Sequence, residues 1–263
     1  MSTEGAGLVE AAGVVVTGGG HGIGRALARR LAAGGARVVV NDLDADAAIT
    51  VATEISGFAL PGDAATEAGI HALIAGARDH LGEIDIFCAN AGIGTGTGPD
   101  TPEEVWQRAW EVNTMAHVRA ARELLPAWLE RGHGRLVVTA SAAGLLTMLG
   151  SAPYSVTKHA AVAFAEWLAA TYGHRGIAVH CICPQGVRIS MFEASGQAGQ
   201  LLMGDSAIEP EQVADALWDG MAAGRFLILP HPEVQDFYTL RASETDRWLR
   251  GMSRLQQRIE EIG

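Results

Sequence analysis

The sequence predicts an α/β fold: a single-domain doubly wound parallel sheet of about seven strands flanked by helices. Three observations carry that expectation. Short β-branched runs alternate along the chain with stretches of helical apolar spacing, the pattern of successive parallel βα units. The first such run, Gly13-Val-Val-Val-Thr17, stops in Gly18-Gly-Gly-His-Gly-Ile-Gly24 just before a helix over 25–33. No internal repeat or separating linker interrupts the 263 residues, whose 48% hydrophobic content is enough for one large core.

Taken in order, Gly34-Gly35 ends the first helix, and Arg37-Val-Val-Val-Asn-Asp42 is a second buried strand that completes a βαβ unit. In such a unit one glycine permits the tight turn, another lets the backbone approach a pyrophosphate, and a third lets the helix pack closely on the strand. The helix N-terminus then offers free amides to the anion. Asp42, twenty-four residues after Gly18, is placed to accept hydrogen bonds from adenosine ribose hydroxyls and to repel a 2′-phosphate. No Lys-Ser or Lys-Thr closes the loop, which argues against a P-loop nucleotide hydrolase.

Residues 46–55 read as a helix, and Phe58 to Asp63 as a short strand ending in an acid that could meet the adenine. A helix over 67–81 stops at Gly82, and Ile84 to Ala89 is a strand ending in Asn90-Ala91-Gly92. The glycine-rich loop from Gly94 to Pro99 follows. Thr101 is expected to cap a long helix, with acids in its first turn, running through Trp106, Trp110, Asn113 and Val118. Arg135 to Ala140 is the fifth strand, with Ser141 just past its end. The next helix carries Tyr154-Ser-Val-Thr-Lys158, whose phenol and ammonium share one face at i and i+4.

Ala178 to Cys183 is the sixth strand, broken by Pro184-Gln-Gly-Val187. Residues 190–207, rich in Gly, Ser, Gln and Met, are expected to be mobile. Glu209 starts a helix to about Ala223, Phe226 to Leu229 is the last strand, and 234–263 is polar and helical. The resulting division is a nucleotide-binding part over 1–235, with a substrate loop at about 188–207, and a C-terminal helical extension of the same domain over 236–263.

Thirty acidic against nineteen basic residues give a formal charge of −11, which argues against a broad nucleic-acid surface. The N-terminus lacks a basic region followed by an apolar core, and no stretch is long enough to span a bilayer, so a cytoplasmic protein is expected. Cys88, Cys181 and Cys183 lie in strand-like segments and read as buried reduced thiols. The nine histidines are scattered, without HExxH or paired CxxC, so no metal site is expected.

Thr17-Gly-xxx-Gly22-x-Gly24, Asn90-Ala-Gly92, Asn113, Ser141 and Tyr154-xxx-Lys158 together strongly resemble the short-chain dehydrogenase/reductase family over residues 10–230. The resemblance implies a Rossmann fold, a nicotinamide dinucleotide, and hydride transfer between a secondary alcohol or ketone and the nicotinamide. It gives Tyr154 the acid/base role, Ser141 the orientation of the substrate oxygen, Lys158 the ribose and a lowered Tyr pKa, and Asn113 a water of the proton relay. Ionising a tyrosine near pH 7.5 needs a shift of about 2.5 units, on the order of 3 to 4 kcal/mol. One charge about 4.5 Å away at an effective dielectric near 20 supplies roughly that.

For the cofactor, the resemblance implies Gly18, Gly22, Ile23 and Gly24 at the pyrophosphate, Asp42 at the ribose and Asp63 at the adenine. Asn90, Ala91 and Gly92 meet the dinucleotide's middle, and Pro184 and Val187 the nicotinamide. Asp42, and His21 where NADP-preferring relatives often carry a basic residue, favour NAD. Pro184-Gln-Gly-Val-Arg-Ile189 departs from the family's Pro-Gly-x-Val-x-Thr, so the usual threonine contact with the carboxamide is missing.

Expected substrate walls at 93–98, 143–150 and 191–203 offer Leu145, Leu146, Met148, Leu149, Met191, Phe192, Leu201 and Leu202, which favour an apolar alcohol or ketone. The same side chains could instead pack on the body or on a second subunit. Ala160, Ala161, Val162, Phe164, Trp167 and Leu168 are too many for one apolar stripe, and the resemblance suggests subunit pairing through this helix, commonly in tetramers. The competing readings are an NADPH-dependent carbonyl reductase and a non-catalytic NAD-sensing regulator.

Overall fold

The computed structural model describes residues 6–189 and 206–261. Seven strands form one sheet: β1 (Gly13–Thr17), β2 (Arg37–Asn41), β3 (Phe58–Ala59), β4 (Ile86–Ala89), β5 (Gly134–Thr139), β6 (Ile177–Ile182) and β7 (Leu227–Ile228). Their order is β3-β2-β1-β4-β5-β6-β7, and every neighbouring pair is parallel. The winding therefore reverses between β1 and β4, and a crevice opens there at the carboxyl ends of the strands.

The described helices are α1 (Ala6–Val9), α2 (Gly22–Ala33), α3 (Ala45–Glu54), α4 (Glu67–Leu81), α5 (Glu103–Trp110), α6 (Ala116–Arg131), α7 (Ala143–Leu146), α8 (Ala152–Tyr172), α9 (Pro210–Ala222), α10 (Glu233–Ser243) and α11 (Thr245–Glu260). They cover both faces of the sheet. Because strand side chains alternate, Val15 and Val39 join one core with α4, α6 and α8, while Val14, Val16, Val38 and Val40 join the other with α2, α3 and α9.

Most boundaries agree with the sequence expectation to within two residues, with three informative differences. β3 covers only Phe58–Ala59 rather than 58–63, because Pro61 brings no N–H to the ladder. Thr101 does not cap the following helix: Pro102 precedes α5 without a side-chain cap, and the Thr101 hydroxyl accepts from the Thr97 N–H at 2.9 Å. The long helix is also interrupted by a π turn over Glu111–Met115, which holds Asn113. The segment expected to be mobile lies, from 190 to 205, outside the described residues, and so do Met191, Phe192, Leu201 and Leu202.

α10 is anchored by Val234, which is fully buried, and by the Arg241 guanidinium, which donates to the Leu145 carbonyl of α7. α11 has no buried residue and is held to α10 through Phe237 and Trp248, whose rings lie 6.2 Å apart.

The tightest approach is at the first turn: a Cβ on Gly24 would lie 1.9 Å from the Gly18 carbonyl oxygen and 2.6 Å from the Asn90 amide nitrogen. Gly24→Ala is expected to lower the thermal midpoint by several degrees in a fluorescence melt, while Gly98→Ala, whose Cβ meets open space, leaves it unchanged.

Candidate active site

One cleft of about 1890 Å³ runs over the carboxyl ends of the strands. At its deep centre β1 and β4 are stitched together. The Thr17 hydroxyl accepts from the N–H groups of Asn90 at 3.0 Å and Ala91 at 3.1 Å, and the Asn90 amide donates to the carbonyls of Thr17 at 3.0 Å and Gly18 at 3.3 Å. Gly18 and Gly22 take positive φ of 61° and 45°, which glycine alone adopts freely, and the turn brings the N-terminus of α2 to the cleft. Gly18, Gly22, Ile23, Gly24, Asn90, Ala91 and Gly92 all line it.

At one end stand the two acids. Asp42 is fixed by the backbone: one carboxylate oxygen accepts from Gly20 N–H at 2.9 Å and the other from Asp44 N–H at 3.0 Å. Asp63 accepts from Ala65 N–H at 2.9 Å and pairs with Arg108 at 3.2 Å. His21 faces Asp44 at 3.2 Å and is mostly exposed.

At the other end Ser141, Tyr154 and Lys158 line the same wall. The Ser141 hydroxyl accepts from Ala143 N–H at 3.1 Å and donates to Pro184 O at 3.4 Å. Lys158 is buried; its ammonium donates to the Thr139 carbonyl at 2.9 Å and lies 5.7 Å from the Tyr154 ring centroid. Burial pushes its pKa down to about 8. The Tyr154 ring keeps partial exposure to the cleft, yet its phenol sits deep enough that burial is the largest influence and raises its pKa, with the Ser141 hydroxyl pulling it back down. Beside the Lys158 ammonium, the Ser141 hydroxyl is thus a second group that favours the ionised phenol.

Of the predicted catalytic and cofactor residues Asn113 alone does not line the cleft, and of the expected substrate walls Leu145 does not either, because its side chain packs in the core. Asn113 is wholly buried in the π turn, where its side-chain oxygen accepts from Ile93 N–H at 2.8 Å and its amide donates to Ile93 O at 2.9 Å and to Thr157 Oγ1 at 3.1 Å. Both N–H groups of the Asn113 amide are thus used, and the side chain pins the turn after β4 to α8. Pro184 and Val187 line the cleft as expected, and Ile189 lies over the glycine turn, 2.8 Å from where a Gly22 Cβ would be.

The sequence reading missed several residues. Thr139 Oγ1 and Gln185 Oε1 are buried at the cleft with no partner among the described residues. His117, one turn beyond Asn113, is buried with neither ring nitrogen in good hydrogen-bond geometry; burial, aided by the Lys158 charge, pushes its pKa down to about 3 against a smaller upward pull from the nearby Asn113 backbone. Its i+4 spacing from Asn113 was the available signal. Phe237, Leu240, Trp248, Met252 and Leu255 of the C-terminal helices also border the cleft. Away from it, Glu83, Asp85 and His133 bring potential metal ligands together, but Arg131 pairs with both carboxylates.

The family model described as short chain dehydrogenase matches residues 12–199. The chain is 35% identical over 246 residues to 1-deoxy-11-beta-hydroxypentalenate dehydrogenase of Streptomyces exfoliatus, covering 89% of this chain and 87% of that protein. A crystal structure of a short chain dehydrogenase/reductase from Burkholderia phymatum in complex with NAD superposes with a TM-score of 0.83 at 25% identity, covering 90% of this chain and 95% of that one. 3-ketoacyl-(acyl-carrier-protein) reductase from Brucella melitensis, complexed with NADH, gives 0.75 at 26% identity, covering 84% and 97%.

The buried histidines set an acid limit on stability. His117 at about 3 and His180 at about 4 lie below the usual 6.5, so between these values the unfolded chain binds the protons first and stability falls as pH falls. The thermal midpoint is expected to drop as pH is lowered from about 7 to about 5, and His117→Leu should flatten that fall.

Proposed function

The chain belongs to the short-chain dehydrogenase/reductase family and is an NAD(H)-dependent oxidoreductase acting on a carbonyl or alcohol; we propose that its substrate is an apolar secondary alcohol or the matching ketone, with Tyr154 as acid/base. The observation that carries this reading is the meeting of the Tyr154 phenol and the Ser141 hydroxyl on one cleft wall, above a buried Lys158. The Streptomyces relative is named for a hydroxylated substrate, which supports an alcohol.

The residues present fit the dinucleotide. The positive-φ glycines leave a cradle without side chains, and the unpartnered Thr139 Oγ1 and Gln185 Oε1 await polar groups in the cleft. We assign Gly18, Gly22, Ile23 and Gly24 to the pyrophosphate, Asp42 to the ribose, Asp63 to the adenine, Asn90, Ala91 and Gly92 to the middle, and Tyr154, Lys158, Pro184 and Val187 to the nicotinamide end. NAD, when bound, supplies the hydride acceptor. Asp42, held by two backbone N–H groups, keeps acceptor capacity for ribose hydroxyls and sets a fixed negative charge against a 2′-phosphate. Arg25 and Arg29, which could have answered such a phosphate, are both paired with Glu54. This disfavours the NADPH-dependent alternative.

In oxidation the Tyr154 oxygen takes the alcohol proton while the Ser141 hydroxyl holds the substrate oxygen; in reduction the phenol donates. Because burial favours the neutral phenol, the donor form prevails at neutral pH, and oxidation should rise with pH. Asn113 acts as a positioning residue, fixing Ile93 and the helix that carries Tyr154 and Lys158.

The division into 1–235 and an extension over 236–263 is part of the proposal. So is self-association through α8, supported by Trp167 and Val156, which are 54% and 49% exposed. Among the described residues no helix is long and apolar enough to cross a membrane. A cytoplasmic location is proposed on the three buried, unpaired cysteines.

A screen of secondary alcohols and ketones with NAD and NADP, followed by nicotinamide absorbance, tests the reading. Turnover with NAD is expected to vanish in Tyr154→Phe while NAD binding persists; full activity in that variant would sink the mechanism. Asp42→Ala is expected to weaken NAD binding and to relax the preference over NADP.

A further inference from the structure

α11 presents one stripe to the cleft. Trp248, Met252 and Leu255 fall at i, i+4 and i+7, with Arg247, Gly251 and Arg254 at the same spacing beside them. α11 rests on α10, and α10 docks on α7, the turn just after Ser141, so the stripe stands at the substrate end of the cleft rather than the adenosine end.

Six guanidinium groups border the cleft. Five are answered: Arg25 and Arg29 by Glu54, Arg108 by Asp63, Arg188 by Glu209 and Arg247 by Glu244. Of the six, Arg254 alone has no carboxylate partner among the described residues. Its guanidinium also turns back along the stripe, with one terminal nitrogen 3.9 Å from where a Cβ on Gly251 would lie. A chain carrying −11 disfavours anions in general, so an anionic substrate needs such a local cation. A single planar guanidinium suits a carboxylate, which it can meet with two parallel hydrogen bonds.

We propose that Arg254 receives a carboxylate of the substrate, whose apolar skeleton lies against Trp248, Met252 and Leu255; the substrate class is an apolar hydroxy acid or keto acid. This rests on the reading that places the reacting oxygen at Tyr154 and Ser141, since the acid then occupies the opposite, outer end.

The test measures binding, so it does not depend on turnover. Adamantane-1-carboxylate and the neutral adamantane-1-methanol are titrated calorimetrically into the full chain in the presence of NAD. The carboxylate is expected to bind roughly tenfold or more tightly than the alcohol, with the advantage shrinking in high salt. Arg254→Gln should erase the difference without weakening the alcohol, Arg254→Lys should restore part of it, and Trp248→Ala should weaken both probes alike. Equal binding of the two probes, no binding of the carboxylate, or an equal loss of both in Arg254→Gln overturns the assignment. Retained activity in Tyr154→Phe would overturn the catalytic reading and leave this binding result standing.

Discussion

A phenol and an ammonium buried one helical turn apart set the terms for this active site, because burial opposes charge on each. Lys158 gives up its full basicity, down to about 8, and keeps one hydrogen bond to the Thr139 carbonyl at 2.9 Å. Tyr154 is pushed up by the same burial, and an opposing influence comes from Ser141. Such a pair is useful only if its surroundings hold still. Asn113 provides that by fastening Ile93 to Thr157 of the same helix, and the Thr17–Asn90 stitch fixes the strand ends beneath. The proposed proton donor is thus a phenol that burial holds toward its neutral form, beside a cradle made of glycine.

Much of this was legible because it is local. The β-branched runs, the glycine turn and Asp42 follow from spacing alone, and the predicted catalytic and cofactor residues other than Asn113 line one cleft. What could not be read is long-range. Thr101 looks like a helix cap, but its hydroxyl is taken by Thr97 across a loop. Asn113 reads as a mid-helix amide, and only tertiary contacts show both ends of it satisfied. The expectation that Lys158 lowers the Tyr154 pKa rests on charge and distance and leaves out burial, which raises it.

The C-terminal helices show the same limit. The sequence over 234–263 reads as polar and helical, and it does not say what Trp248, Met252 and Leu255 meet. The docking of α10 on α7 supplies the answer by carrying α11 to the rim beside Ser141. A segment that reads as a polar tail thereby becomes a wall of the cleft.

The central claim is that the Tyr154 phenol is the acid/base and that Ser141 tunes it. The most direct measurement is the pH dependence of kcat for alcohol oxidation in wild type and Ser141→Ala. A single ionisation should govern the wild-type profile and move to higher pH in the variant, because the hydroxyl that lowers the phenol's pKa is gone. An ionisation that stays in place, or moves to lower pH, would contradict the account.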